Sequence, residues 1–176
     1  MANLQISKPE MLKRVARFKE LVPSEYAFVD SKIPGHERLI YNVIGNGVTE
    51  DAALRPAIPD ARDFNLTYVK AEPGKGAALH SHLTVEVFTP LSGQWAIIWG
   101  DRGENEIVLE AWDTISVPPG VMRGFRNVGR EPACLMAILG GTDPGRVTWS
   151  PELIAQAREK GWELDAKGDL IMREKV

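Results

Sequence analysis

From residue 64 to residue 139 the chain is a succession of short apolar or alternating segments divided by glycine and proline turns. Segments 64–71, 79–82, 85–91, 95–99, 107–109, 114–117, 121–127 and 133–139 all have strand length and strand composition. Glu72-Pro73-Gly74-Lys75-Gly76, Asp101-Arg102-Gly103-Glu104-Asn105 and Pro118-Pro119-Gly120 supply turns between them. Many short strands at regular spacing specify an all-β sandwich or small barrel.

The flanks read differently. Ser7-Lys8-Pro9-Glu10 has the spacing of a capping box, and Met11, Val15, Phe18 and Val22 then recur at helical spacing. This predicts an amphipathic helix over 8–22, stopped before Pro23, with a solvated basic face. Strands are expected at 26–29 and 39–44, with a loop over 48–63. Downstream, Ser150-Pro151-Glu152 places a serine N-cap, a first-turn proline and an acid at the start of a helix over 151–160 that ends at Gly161. A terminal hairpin is expected from 162–164 and 170–171. Without an internal repeat, the whole reads as one domain: an N-terminal helix and strand extension (1–63), a barrel core (64–140), and a C-terminal helix and tail (141–176).

Composition bounds the partners. A chain of 176 residues and net charge −3 has no basic tract to hold nucleic acid or an anionic membrane surface. No apolar run has the length of a bilayer span or the form of a signal peptide, so the cytoplasm is the expected compartment. Cys134 is the lone cysteine and sits in the apolar run ACLMAIL, as a buried small hydrophobe would.

The chemistry concentrates in GKGAALHSHLTVEVFTPLSG, residues 74–93. His80 and His82 are two of the three histidines, and at strand spacing they face one side. Glu86 follows on the next segment. If the two segments pair, two imidazoles and a carboxylate converge, a donor set that suits a first-row divalent metal and leaves positions open for water or substrate. The alternatives are a metal-free polar pocket held by ion pairing, or a site without chemistry. His36, in Pro34-Gly35-His36-Glu37-Arg38, is the one other imidazole available as a fourth ligand, and otherwise a loop residue. Arg123 and Phe125 share a face of their segment, and an inward arginine needs an anion: Glu86 or an anionic substrate. Phe88, two residues past Glu86, faces the same interior. No Ser-His-Asp order, activated cysteine or phosphate-cradling glycine loop is present.

Gly74, five residues, His80-x-His82, three residues, Glu86, six residues, Gly93 resembles the first motif of the cupins. Pro118-x-Gly120, two residues, Arg123, three residues, Asn127 resembles the second. Two positions depart: Trp112 stands where the family usually has glycine, and Arg123 where it usually has a fourth metal ligand, a histidine. The resemblance spans residues 64–140. It implies a double-stranded β-helix (jelly-roll) barrel, a divalent ion (Fe, Mn, Zn or Ni) at His80, His82 and Glu86, and a homodimer covering its sheet edges with N-terminal strands. Cupin reactions vary widely, so the fold is implied strongly and the reaction weakly. The expected function is a metal-dependent, dioxygenase-like reaction of a small acidic or hydroxylated molecule. Glu86 and Arg123 would be catalytic, and Arg123, Phe125 and Phe88 would contact substrate. The alternatives are a metal-free cupin that binds a small anion, and an isomerase that uses histidine as acid or base.

Overall fold

The computed structural model describes residues 3–60 and 62–173. Two five-stranded antiparallel sheets face each other. The first runs in the order β1 (Leu39–Ile44), β2 (Phe64–Ala71), β9 (Ala133–Gly140), β4 (Glu86–Pro90), β7 (Ile115–Val117). The second runs β10 (Thr148–Trp149), β3 (Gly76–Ser81), β8 (Arg123–Asn127), β5 (Trp95–Trp99), β6 (Asn105–Leu109). Every strand expected between 64 and 139 is present, with ends moved by a few residues. The expected hairpin is β11 (Trp162–Leu164) against β12 (Leu170–Met172).

Between the sheets lies the main core, with Phe88, Trp95, Ile97 and Leu135 wholly buried. Phe88 from one sheet meets Phe125 from the other edge to face, with ring centroids 5.4 Å apart. A second cluster covers the outside of β3. There Leu153 and Ala157 of α2 (Pro151–Glu159) pack with Val29, Ala78 and Trp149. Ser150 caps that helix at Leu153 N, as its sequence predicts.

The N-terminal expectation needs correcting. The capping box forms, but α1 covers only Lys8–Leu12, and none of its residues is buried. A helix this short is marginal without an apolar face packed on something, and this one has no such face against the chain. Phe18 instead enters a 3-10 turn and lays its ring 5.1 Å from Tyr41 on the outside of the first sheet. The strand expected at 26–29 is also absent; Val29–Lys32 is a 3-10 turn. Its groups bond to side chains rather than to a ladder: Val29 N donates to Glu50 Oε2, and Asp30 is held by Arg38. Among the described residues, no helix is long and apolar enough to cross a membrane.

One irregularity decides where the histidines point. Along β3 and β8, Ala77 pairs with Phe125 and His80 with Arg123, so three steps on β3 oppose two on β8. This β-bulge adds a residue on β3, and Ala77 and His80 border the same cavity despite their odd spacing. Gly124 lies opposite the bulge. A Cβ there would stand 2.7 Å from the Ala77 carbonyl oxygen, so the close approach needs glycine.

Candidate metal centre

His80, His82 and Glu86 each place a ligand atom within 4.8 Å of the others, and all three are buried. His80 comes from β3, His82 from the residues just after it, and Glu86 opens β4 in the opposite sheet. The convergence predicted from spacing is therefore present, but it is made by facing sheets rather than by two strands of one ladder.

The bulge also orients His80. Its Nδ1 lies 2.7 Å from the Ala78 carbonyl oxygen, and a carbonyl can only accept, so Nδ1 carries the proton. Nε2 keeps its lone pair, which is how metal-binding imidazoles are commonly held. The Ala78 N–H donates to Asp30 Oδ2 at 3.0 Å. Burial holds His80 well below its ordinary pKa, and the His82 and Arg123 charges add to this. Burial and Arg123 bring His82 to about 3. Both rings are thus neutral donors at neutral pH. His82 Nε2 stands 3.6 Å from Glu86 Oε2, while its buried Nδ1 has no hydrogen-bond partner among the described residues.

Arg123 is 0% exposed and spends its guanidinium on Glu86. Nε donates to Oε2 at 2.9 Å, Nη2 lies 2.8 Å from the same oxygen, and Nη1 donates to the Val121 carbonyl. Burial pushes the Glu86 carboxyl up, and Arg123 opposes that shift. Glu86 Oε1 accepts no hydrogen bond among the described residues. The donors fit a divalent ion: two neutral nitrogens, one with its proton fixed on the far side, and one carboxylate oxygen left over.

A cavity of about 40 Å³ opens onto these groups. His80, His82, Glu86 and Phe125 border it, together with Arg38, Asn42, Thr67 and Trp149. Arg123 and Phe88 do not border it: Arg123 lies behind Glu86, and Phe88 belongs to the core. His36 is outside the ligand cluster and offers its carbonyl to Arg38 Nη1. Sequence reasoning missed Arg38 and Trp149, which come from segments outside both motifs. Trp149 pairs in register with His80 and donates from its indole to Glu50. Arg38 left a faint signal, a charge immediately before an apolar strand.

The cupin domain family matches residues 67–139. The chain carries a cupin domain. Its cupin barrel resembles a cupin 2 domain-containing protein from Halorhodospira halophila at 21% identity and a TM-score of 0.51, over 69% of this chain and 76% of that one. An RmlC-like cupin from Shewanella frigidimarina matches at 14% identity and a TM-score of 0.51, over 74% and 90% of the two chains. The DMSP lyase DddQ from Ruegeria pomeroyi matches at 17% identity and a TM-score of 0.50, over 63% of this chain and only 50% of that one. At these identities the likeness is one of fold. No protein of curated function matches the chain in sequence.

Proposed function

We propose that this cupin is a metalloenzyme acting on a small acidic or hydroxylated organic molecule, with a divalent ion held by His80, His82 and Glu86. The observation that carries this is the pair of buried neutral imidazoles beside a carboxylate, with the His80 proton committed to Ala78 O and Nε2 left bare. A bound ion would supply a Lewis acid or a site for oxygen activation, the dioxygenase-like case. Around it, His80 and His82 donate nitrogen, and Glu86 offers Oε1. Arg123 is a positioning residue that fixes the Glu86 carboxylate from behind. Phe125 and Trp149 make apolar and aromatic wall that excludes water. Histidine acid–base chemistry is less well supported, because burial keeps both rings neutral across the working range.

A second reading has its own support. The Arg123–Glu86 pair neutralises the carboxylate without a metal, as a metal-free binder of small anions would need. The same proposal takes the protein to be a cytoplasmic homodimer. Its support is the apolar series Leu12, Val15, Phe18 and Val22, which stays largely exposed among the described residues even where Phe18 meets Tyr41.

Elemental analysis of protein purified without added metal separates the two readings. The enzyme reading expects close to one equivalent of a first-row metal in the parent. It expects little in His80→Ala and an unchanged content in His36→Ala. A parent that stays metal-free after incubation with Fe(II), Mn(II), Zn(II) and Ni(II) leaves the binder.

A further inference from the structure

We propose that Arg38 is the residue that receives the carboxylate of the ligand, and that the cavity therefore selects small carboxylates. This deepens the reading of the cavity as a ligand site and rests on it. The sequence assigned that role to Arg123, but Arg123 has no access to the cavity. Arg38 borders it while being only 6% exposed.

The guanidinium is used on one side only. Nη1 makes all of its hydrogen bonds: to Asp30 Oδ2 at 3.0 Å, to the His36 carbonyl at 2.8 Å and to the Gly76 carbonyl at 3.2 Å. Nε is buried and has no partner. Nη2 makes no hydrogen bond among the described residues. The Nε–H and an Nη2–H lie parallel on one edge of the guanidinium, and that edge matches the two oxygens of a carboxylate. An arginine kept only to pair with Asp30 would turn this two-donor edge toward it. Here Asp30 is met by a single nitrogen, and the edge is left over. A buried donor without an acceptor is costly, so an incoming acceptor is favoured.

Charge and size narrow the ligand. Arg38 and Arg123 are balanced by Asp30 and Glu86, all buried within or behind the wall, and Glu50 at Trp149 adds at most one further negative charge, less than a divalent ion brings. A divalent ion makes this set net positive, so an anion beside Arg38 restores the balance. Anion and metal should therefore bind with positive coupling. Space of about 40 Å³ takes a few water-sized groups and no bulky acid. Phe28 and Phe125, with rings 5.2 Å and 5.9 Å from the guanidinium carbon, give the ligand's carbon end an apolar surface.

The test is calorimetric titration of acetate and of acetamide, its neutral isostere, into protein that is metal-free and into protein loaded with Zn(II). The variants are Arg38→Lys, which keeps the charge and the Asp30 pair but has no fork, and the double variant Asp30→Asn/Arg38→Met, which removes the buried charges together. We expect acetate but not acetamide to bind the parent, more tightly with zinc. Acetate affinity should fall by about tenfold or more in Arg38→Lys, with zinc still bound. If Arg38→Lys does not fold, the double variant must fold and lose acetate. Equal acetate affinity in parent and Arg38→Lys, acetate binding retained by the double variant, or no acetate binding to the zinc-loaded parent overturns the assignment. Zinc uptake with acetate indifferent to Arg38 defeats this inference and leaves the metal reading standing. Acetate binding through Arg38 in a protein that takes no metal does the reverse.

Discussion

Arg123 answers one carboxylate with a charge it cannot give up, and both partners are buried. Removing one member of such a buried pair typically costs about 3–5 kcal/mol, because the other is left uncompensated. Arg123→Met should therefore destabilise the metal-free protein by roughly that amount. A divalent ion replaces the missing positive charge, so added zinc should raise the melting temperature more in Arg123→Met than in the parent. Thermal denaturation with and without zinc measures this, and equal shifts would mean that Glu86 does not ligate. Spacing made His80, His82 and Glu86 legible, and alternation turned Arg123 inward. Which of two anions Arg123 would meet was not legible, since that depends on how far Glu86 reaches across from the other sheet. Trp112 has the opposite story. It has a left-handed φ of 75° and is 75% exposed, so its departure from the usual glycine brings backbone strain without a contact that explains it. Asp113 still shapes the turn by accepting from Glu110 N.

Elements were legible where local signals and tertiary contacts agreed. The α2 helix has its serine cap, and its apolar residues land on Val29, Ala78 and Trp149. The N-terminal stripe had the same periodicity but found little surface to land on beyond the Phe18 ring against Tyr41, and the helix stopped after Leu12. The β3 bulge left no sequence trace, because a pairing register involves two strands and a single strand's pattern describes one. Its partner residue tests its importance. Gly124→Ala pushes a methyl against the Ala77 carbonyl and the Ala78 backbone, neither of which is the end of a flexible side chain. We expect a loss of about 1–3 kcal/mol in urea denaturation, the usual range for overpacking. Metal affinity should weaken as well, because the Ala78 carbonyl oxygen that holds the His80 proton is 3.3 Å from the added methyl and adjoins the clashing Ala77 carbonyl. A variant of parental stability with parental zinc affinity would show that β3 can relax without disturbing His80.

Across the whole molecule, Glu50 joins the 3-10 turn at Val29 to Trp149 at the cavity wall through one buried carboxyl. Burial pushes it from its ordinary 4.5 up to about 7, against the pull of those two hydrogen bonds. A carboxyl raised in the folded state holds a proton that the unfolded chain has released. Its contribution to stability is therefore full below about 4.5 and is lost as pH rises through about 7. The loss is on the order of 3 kcal/mol. Parent stability relative to Glu50→Gln should fall as pH rises from about 5 to about 8, measured by denaturant melts across that range. A difference that does not change with pH would place the Glu50 pKa near its ordinary value. The cavity that Trp149 helps to close also draws on Phe28, Arg38 and Asn42, whereas the family match runs from 67 to 139. The three donors thus lie inside the matched span, while part of the wall that bounds access to them is built by segments on either side of it.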